Sequence, residues 1–136
     1  MSYIDSMVRM KQKRDLILNS GYKKGTPQWS QMWASYFKKY SSEVACENRA
    51  FSYYATKYPA VARAIEWFYK CGVFLSNSKS EEARKRSRER WEAAAAQLFK
   101  LTQVDVKPLW GFSLRSGGIA AYIYAKQYPV DIGTFF

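Results

Sequence analysis

Residues 26–59 read TPQWSQMWASYFKKYSSEVACENRAFSYYATKYP, and their periodicity decides the fold class. Trp29, Met32, Trp33, Tyr36, Phe37, Tyr40, Val44, Phe51 and Tyr54 recur at spacings of three, four and seven. On a helical wheel they fill an arc of roughly 140°, the width of a buried helix face. Thr26-Pro27 marks the start, because threonine caps free backbone N–H groups and proline suits the first helical position. Tyr58-Pro59 marks the end, because the residue before a proline is pushed out of helical geometry. The spacing predicts one long helix from 27 to about 57, with its aromatic stripe in a core or at a subunit contact.

On the N-terminal side, residues 4–19 form a short amphipathic, basic segment that stops at Asn19-Ser20-Gly21, where Gly and Asn tolerate the left-handed conformation. Residues 1–25 are expected to be a basic N-terminal arm and 26–136 a helical core domain. On the C-terminal side, Pro59 opens a second helix to about residue 75. Val61, Ala64, Ile65, Phe68, Tyr69 and Gly72 line one side of it, and Trp67, Cys71 and Phe74 much of the other. A helix apolar almost all round is buried on two sides, so Trp67 and Phe74 are expected at a subunit interface. Ser76–Ser80 reads as a loop, with Ser78 and Glu81 at capping-box spacing. The next helix runs to about 104 on a core stripe of Ala83, Ser87, Trp91, Ala94, Ala95, Leu98 and Leu101.

Residues 105–117 read as an irregular, aromatic-anchored connection. Gly117-Gly118 reads as a flexible joint before a short helix over about 118–128 that carries Tyr122 and Tyr124. The apolar tail 130–136, with Ile132, Phe135 and Phe136, is expected to join those tyrosines at the subunit contact, since a free greasy tail invites aggregation. The expected fold class is all-α: a four-helix bundle-like domain with a basic helical arm and an apolar tail.

The chain has 136 residues, 48% of them apolar and 18% aromatic, too much buriable surface for a disordered tail. No apolar run approaches the roughly 18 residues of a membrane span, and the opening Met1–Asp5 has no leader-like charge and apolar centre. There is no histidine, which removes the Ser-His-Asp and Cys-His arrangements and the commonest general base. Cys46 and Cys71 cannot complete a four-ligand zinc site and read as buried structural thiols. No enzyme, cofactor or metal is expected. Glu47 falls inside the aromatic arc and Glu43 at its edge, where an ion pair, with Arg63 as one candidate, is the expected compensation.

Twenty-two Lys and Arg against eleven Asp and Glu give a net charge of +11, which calls for an anionic partner, nucleic acid first. Neutralising it takes about eleven phosphates, or roughly five to six base pairs per chain, a footprint suited to coating nucleic acid in many copies. In the helix after the loop, Lys79, Arg86 and Arg90 fall on one line beside Gln97, while its four glutamates project elsewhere. Such a carboxylate-free stripe suits a phosphate backbone, which Arg holds bidentately. Arg9, Lys11, Lys13 and Arg14 in the N-terminal segment, followed by Lys23 and Lys24, form the second basic group.

The size, the basic helical N-terminus, the Thr26-Pro27 helix start, the Ala-rich third helix and the run Gly117-Gly118-Ile119-Ala120-Ala121-Tyr122-Ile123-Tyr124 together resemble the major coat proteins of filamentous and rod-shaped archaeal viruses, the lipothrixvirus and rudivirus group. The resemblance implies a dimerising helical bundle whose homo- or heterodimers wrap double-stranded DNA, held in A-form, into a helical nucleoprotein filament. It implies a virion protein, intracellular before assembly, with a lipid envelope around the filament in some members. It brings no catalytic residues. The basic residues named above become its DNA-facing groups. The alternative is a small basic nucleic-acid-binding adaptor of a ribonucleoprotein or nucleoid.

Overall fold

The helix boundaries follow from short capping contacts. In the computed structural model, which describes residues 2–128, the described chain is all-helical. The order is α1 (Tyr3–Leu18), α2 (Pro27–Lys39), α3 (Ser41–Lys57), α4 (Pro59–Asn77), α5 (Glu81–Thr102), a single 3-10 turn at Lys107–Leu109, and α6 (Ser116–Gln127). Ser2 and Asp5 form a reciprocal capping box on α1. Thr26 Oγ1 accepts from the Trp29 N–H, with Pro27 in the first turn, as its sequence position requires. The tail 130–136, with Ile132, Phe135 and Phe136, lies outside the described residues. Among the described residues no helix is long and apolar enough to cross a membrane.

Two expectations on boundaries are corrected. The long helix over 27–57 is two helices, broken at Tyr40, whose backbone sits at φ −110° and ψ 30°. Both helices close on that residue: the Tyr40 N–H ends α2 on Tyr36 O at 3.0 Å, and the Val44 N–H starts α3 on Tyr40 O at 2.9 Å. Local charge marks it. Lys38-Lys39 complement the carbonyl end of α2, and Glu43 complements the amide end of α3. The aromatic arc runs on through the break and hides it. The second correction is the cap of α5, which is Ser80, accepting from the Ala83 N–H, rather than Ser78. Ser78 Oγ instead donates to Phe74 O at 2.8 Å and pairs with Ser87 Oγ at 2.9 Å, tying the turn together.

The helices pack as two associations around one core. α4 and α5 form a hairpin in which Phe68 meets Trp91, while Val61, Ile65, Cys71 and Leu75 are buried opposite Ala94, Ala95 and Leu98. Leu101, expected in that stripe, is instead 43% exposed. α6 packs along α3 and also touches α4. Its Ile119, Ala120, Ala121, Ile123 and Ala125 are buried. The basic segment expected as an arm is helix α1. It lays Tyr3, Met7, Met10 and Ile17 into the same core, against α2, α3 and α6.

Gly117 and Gly118, read as a flexible joint, are points of close approach. A Cβ on Gly117 would lie 3.3 Å from both Cβ and the carbonyl oxygen of Glu47, and one on Gly118 would lie 2.9 Å from Leu114 Cδ2 and 3.2 Å from the Tyr3 hydroxyl. Side chains there would push α6 off α3 and α1. Gly117→Ala should therefore lower stability by about 1–3 kcal/mol, by overpacking, although Gly to Ala inside a helix ordinarily gains up to about 1 kcal/mol. Thermal unfolding of the variant reads the sign directly.

Candidate nucleic-acid interface

The stripe on α5 is positioned by what the opposite side of the helix buries. Trp91, Ala94, Ala95 and Leu98 face α4, which turns Arg86, Arg90 and Gln97 outward, all exposed, with Lys79 exposed in the turn ahead of them. Among the described residues Lys79, Arg86 and Arg90 make no ion pair. Burial pushes the Cys71 thiol up, and the Arg90 charge pulls it back in part. Trp67 and Phe74 neighbour Cys71 at helical spacing and are 47% and 55% exposed.

The N-terminal basic group is differently employed. Arg9 is exposed, Lys11 is ion-paired with Asp15, and Lys13 is half-buried. Arg14 faces inward. Its guanidinium donates to the Tyr36 hydroxyl at 2.9 Å and to Phe112 O at 2.7 Å, clamping α1 to α2 and to the segment before α6. Lys23 and Lys24 are exposed in the α1–α2 turn. α1 packs on α2, α3 and α6 while α5 packs on α4, so the structure does not bring the two basic groups together on neighbouring helices. Of the expected interface tyrosines, Tyr122 is 7% exposed, with Lys126 over its ring, and Tyr124 is half-buried in a ring cluster with Tyr53 and Tyr128.

Glu47 finds a partner the sequence did not suggest. The Tyr3 hydroxyl donates to its Oε1 at 2.6 Å, and α1 supplies the Arg14 charge nearby. Burial raises the Glu47 carboxyl above the usual range, while the Tyr3 hydrogen bond and Arg14 hold it partly down. The Tyr3 hydroxyl is raised well above the usual tyrosine range, by burial first and then by Glu47. Glu43 keeps its Oε2 buried without a hydrogen-bond partner. Among the described residues neither cysteine forms a disulfide; both are buried, and burial raises both thiols. Raised thiols carry little thiolate, which suits packing rather than reaction.

Two concavities among the described residues bear on this surface. One, about 450 Å³, opens between α4, Trp91 and the 109–115 segment, with Val73 and Trp110 on its walls and Arg115 contributing a charge. The other, about 590 Å³ and shallow, runs along the outside of α3 past Asn48, Arg49, Ser52, Tyr53, Thr56 and Lys57. The second is the feature that the sequence reading missed, because attention to the aromatic arc left the opposite face of the same helices unread. No protein-family model matches the chain, and no curated protein or solved structure matches it either.

Two outcomes are expected. Arg14→Ala should lower thermal stability, since it strands the Tyr36 hydroxyl and Phe112 O at about 1–3 kcal/mol for each buried group left unpaired, while changing duplex affinity of the folded protein less than Lys23→Ala with Lys24→Ala does. For Glu47, a carboxyl raised in the folded state binds its proton more tightly there than in the unfolded chain. Stability is therefore favoured at low pH and declines as pH rises from the unfolded value of about 4.3 through the raised folded value. Glu47→Gln should remove that decline, seen as a Tm difference from wild type that grows across this window and is flat above it.

Proposed function

We propose that this chain is a structural coat protein that polymerises around double-stranded DNA and packages it largely without regard to sequence. The observation that carries the reading is the exposed line of Arg86, Arg90 and Gln97 on α5, continued by Lys79, with no ion pair among the described residues. A backbone-binding face needs positive groups without competing carboxylates, and packaging needs charge neutralisation rather than base readout. The surplus of +11 supports a polyanion of considerable length. The half-exposed Trp67 and Phe74 support contact between copies. In this reading the helices act as a four-helix bundle-like unit that dimerises with itself or a related chain. The basic N-terminal helix and the tail 130–136 then serve assembly, in a filament of the kind formed by the archaeal-virus coat proteins.

Electron microscopy of the purified protein mixed with linear duplex tests the class. Regular filaments are expected, and discrete small complexes would favour the adaptor. In binding measured across salt, unrelated duplexes should show similar affinity. Arg86→Ala with Arg90→Ala should flatten the slope of log K against log salt by about two units. An unchanged slope removes this helix face from the site.

A further inference from the structure

The outer face of α2 and α3 has its own repeat. Gln31, Ser35, Lys38, Ser42, Arg49, Ser52 and Thr56 are all exposed, and half-buried Ala45 fills the remaining place in a strict four-three alternation. The helix ladder breaks at Tyr40, and the five positions on α3, Ser42 to Thr56, hold one side of that helix over about 21 Å at 1.5 Å per residue. Residues at this spacing ordinarily form an apolar seam for another helix. Here every exposed member is an amide, a hydroxyl or a cation, so the face offers a second copy of the chain nothing to bury. The two carboxylates of α3 are turned away from it: Glu47 is bonded to Tyr3, and Glu43 has an oxygen buried without a partner. The shallow groove of about 590 Å³ lies along this face and adds Lys57, whose ammonium sits 5.3 Å from the centre of the Tyr53 ring.

We infer that the outer stripe of α3, Ser42 to Thr56 with the groove beside it, is a second face for the sugar-phosphate backbone of a duplex, distinct from the line on α5. Hydroxyl and amide donors with interspersed Lys and Arg are the groups that hold phosphates without reading bases. This rests on the packaging reading and deepens it, since each copy then touches the duplex through two helices, α3 and α5.

The test is duplex binding at low salt by the full chain. Introducing carboxylates with Ser42→Asp and Ser52→Asp should weaken affinity at least tenfold. The neutral, near-isosteric pair Ser42→Asn and Ser52→Asn should stay within about threefold of wild type. Arg49→Ala should flatten the salt slope by about one unit. Ala96→Asp, on the exposed glutamate-bearing side of α5, serves as the charge control and should act weakly. Far-ultraviolet circular dichroism checks that each variant is folded. An undiminished affinity for the Asp pair, or an equal loss with the Asn pair, overturns the assignment. If the Asp pair binds normally while Arg86→Ala with Arg90→Ala does not, this face alone is excluded and the packaging reading stands. Failure of the wild type to bind duplex overturns both.

Discussion

The buried meeting of Tyr3, Glu47 and the Gly117-Gly118 backbone holds three helices in register. The Tyr3 hydroxyl reaches Glu47 on α3 at 2.6 Å, and both glycines lie so near that contact that a Cβ would intrude on it. A carboxylate in that position is costly unless hydrogen-bonded. α1 meets the need twice, through Tyr3 and through the Arg14 charge. The N-terminal helix is thus required by the interior of α3, and its position is a matter of polar satisfaction as well as apolar burial. A second tie closes the far end, where the Tyr54 hydroxyl donates to Gln127 Oε1 at 2.6 Å and Gln127 Nε2 donates to Thr102 O at 3.0 Å. α3, α5 and α6 are latched there, so α6 is fixed at both ends.

Helix existence was legible from the sequence because it rests on local chemistry. Thr26-Pro27, Tyr58-Pro59 and Asn19-Ser20-Gly21 punctuate the chain where their stereochemistry requires. The break at Tyr40 was not legible, because an uninterrupted aromatic arc outweighed the weaker signal of two lysines followed by two serines and a glutamate. The Gly-Gly pair was misread for a related reason. A glycine that loosens a joint and a glycine that admits a neighbouring helix look alike in one dimension, and only the position of Glu47 separates them. The partner of Glu47 lies 44 residues away. No periodicity encodes such a pair.

For the surface, the wheel argument located Arg86 and Arg90 correctly as solvent-facing, since Trp91 and Leu98 fix the rotation of α5. It treated Arg14 as equivalent to Arg9, and the structure separates them: one guanidinium is used inside the chain and the other faces out. Charge counted from composition therefore overstates the charge available to a partner. Lys11 is likewise engaged, with Asp15. The outer face of α2 and α3 was invisible for the opposite reason. Its cations are sparse, and its character comes from what is missing from it, which appears only once the inward direction of Glu43 and Glu47 is known.

These placements share one electrostatic logic. Turning a carboxylate inward costs desolvation, as the raised Glu47 shows, and exposing it would cost nothing in folding. Glu47 is turned inward onto Tyr3 and the Arg14 charge, while Lys38, Arg49, Arg86 and Arg90 are left in water. The arrangement gains when a polyanion lies against the exterior, because each exposed carboxylate would then repel it and displace a favourable contact. In the packaging proposal, free energy given up inside the core is recovered at the surface on binding. The aromatic excess makes that exchange affordable: Tyr36, Tyr40, Tyr54, Phe68 and Trp91 supply enough buried area for a small domain to carry an unfavourable group in its interior.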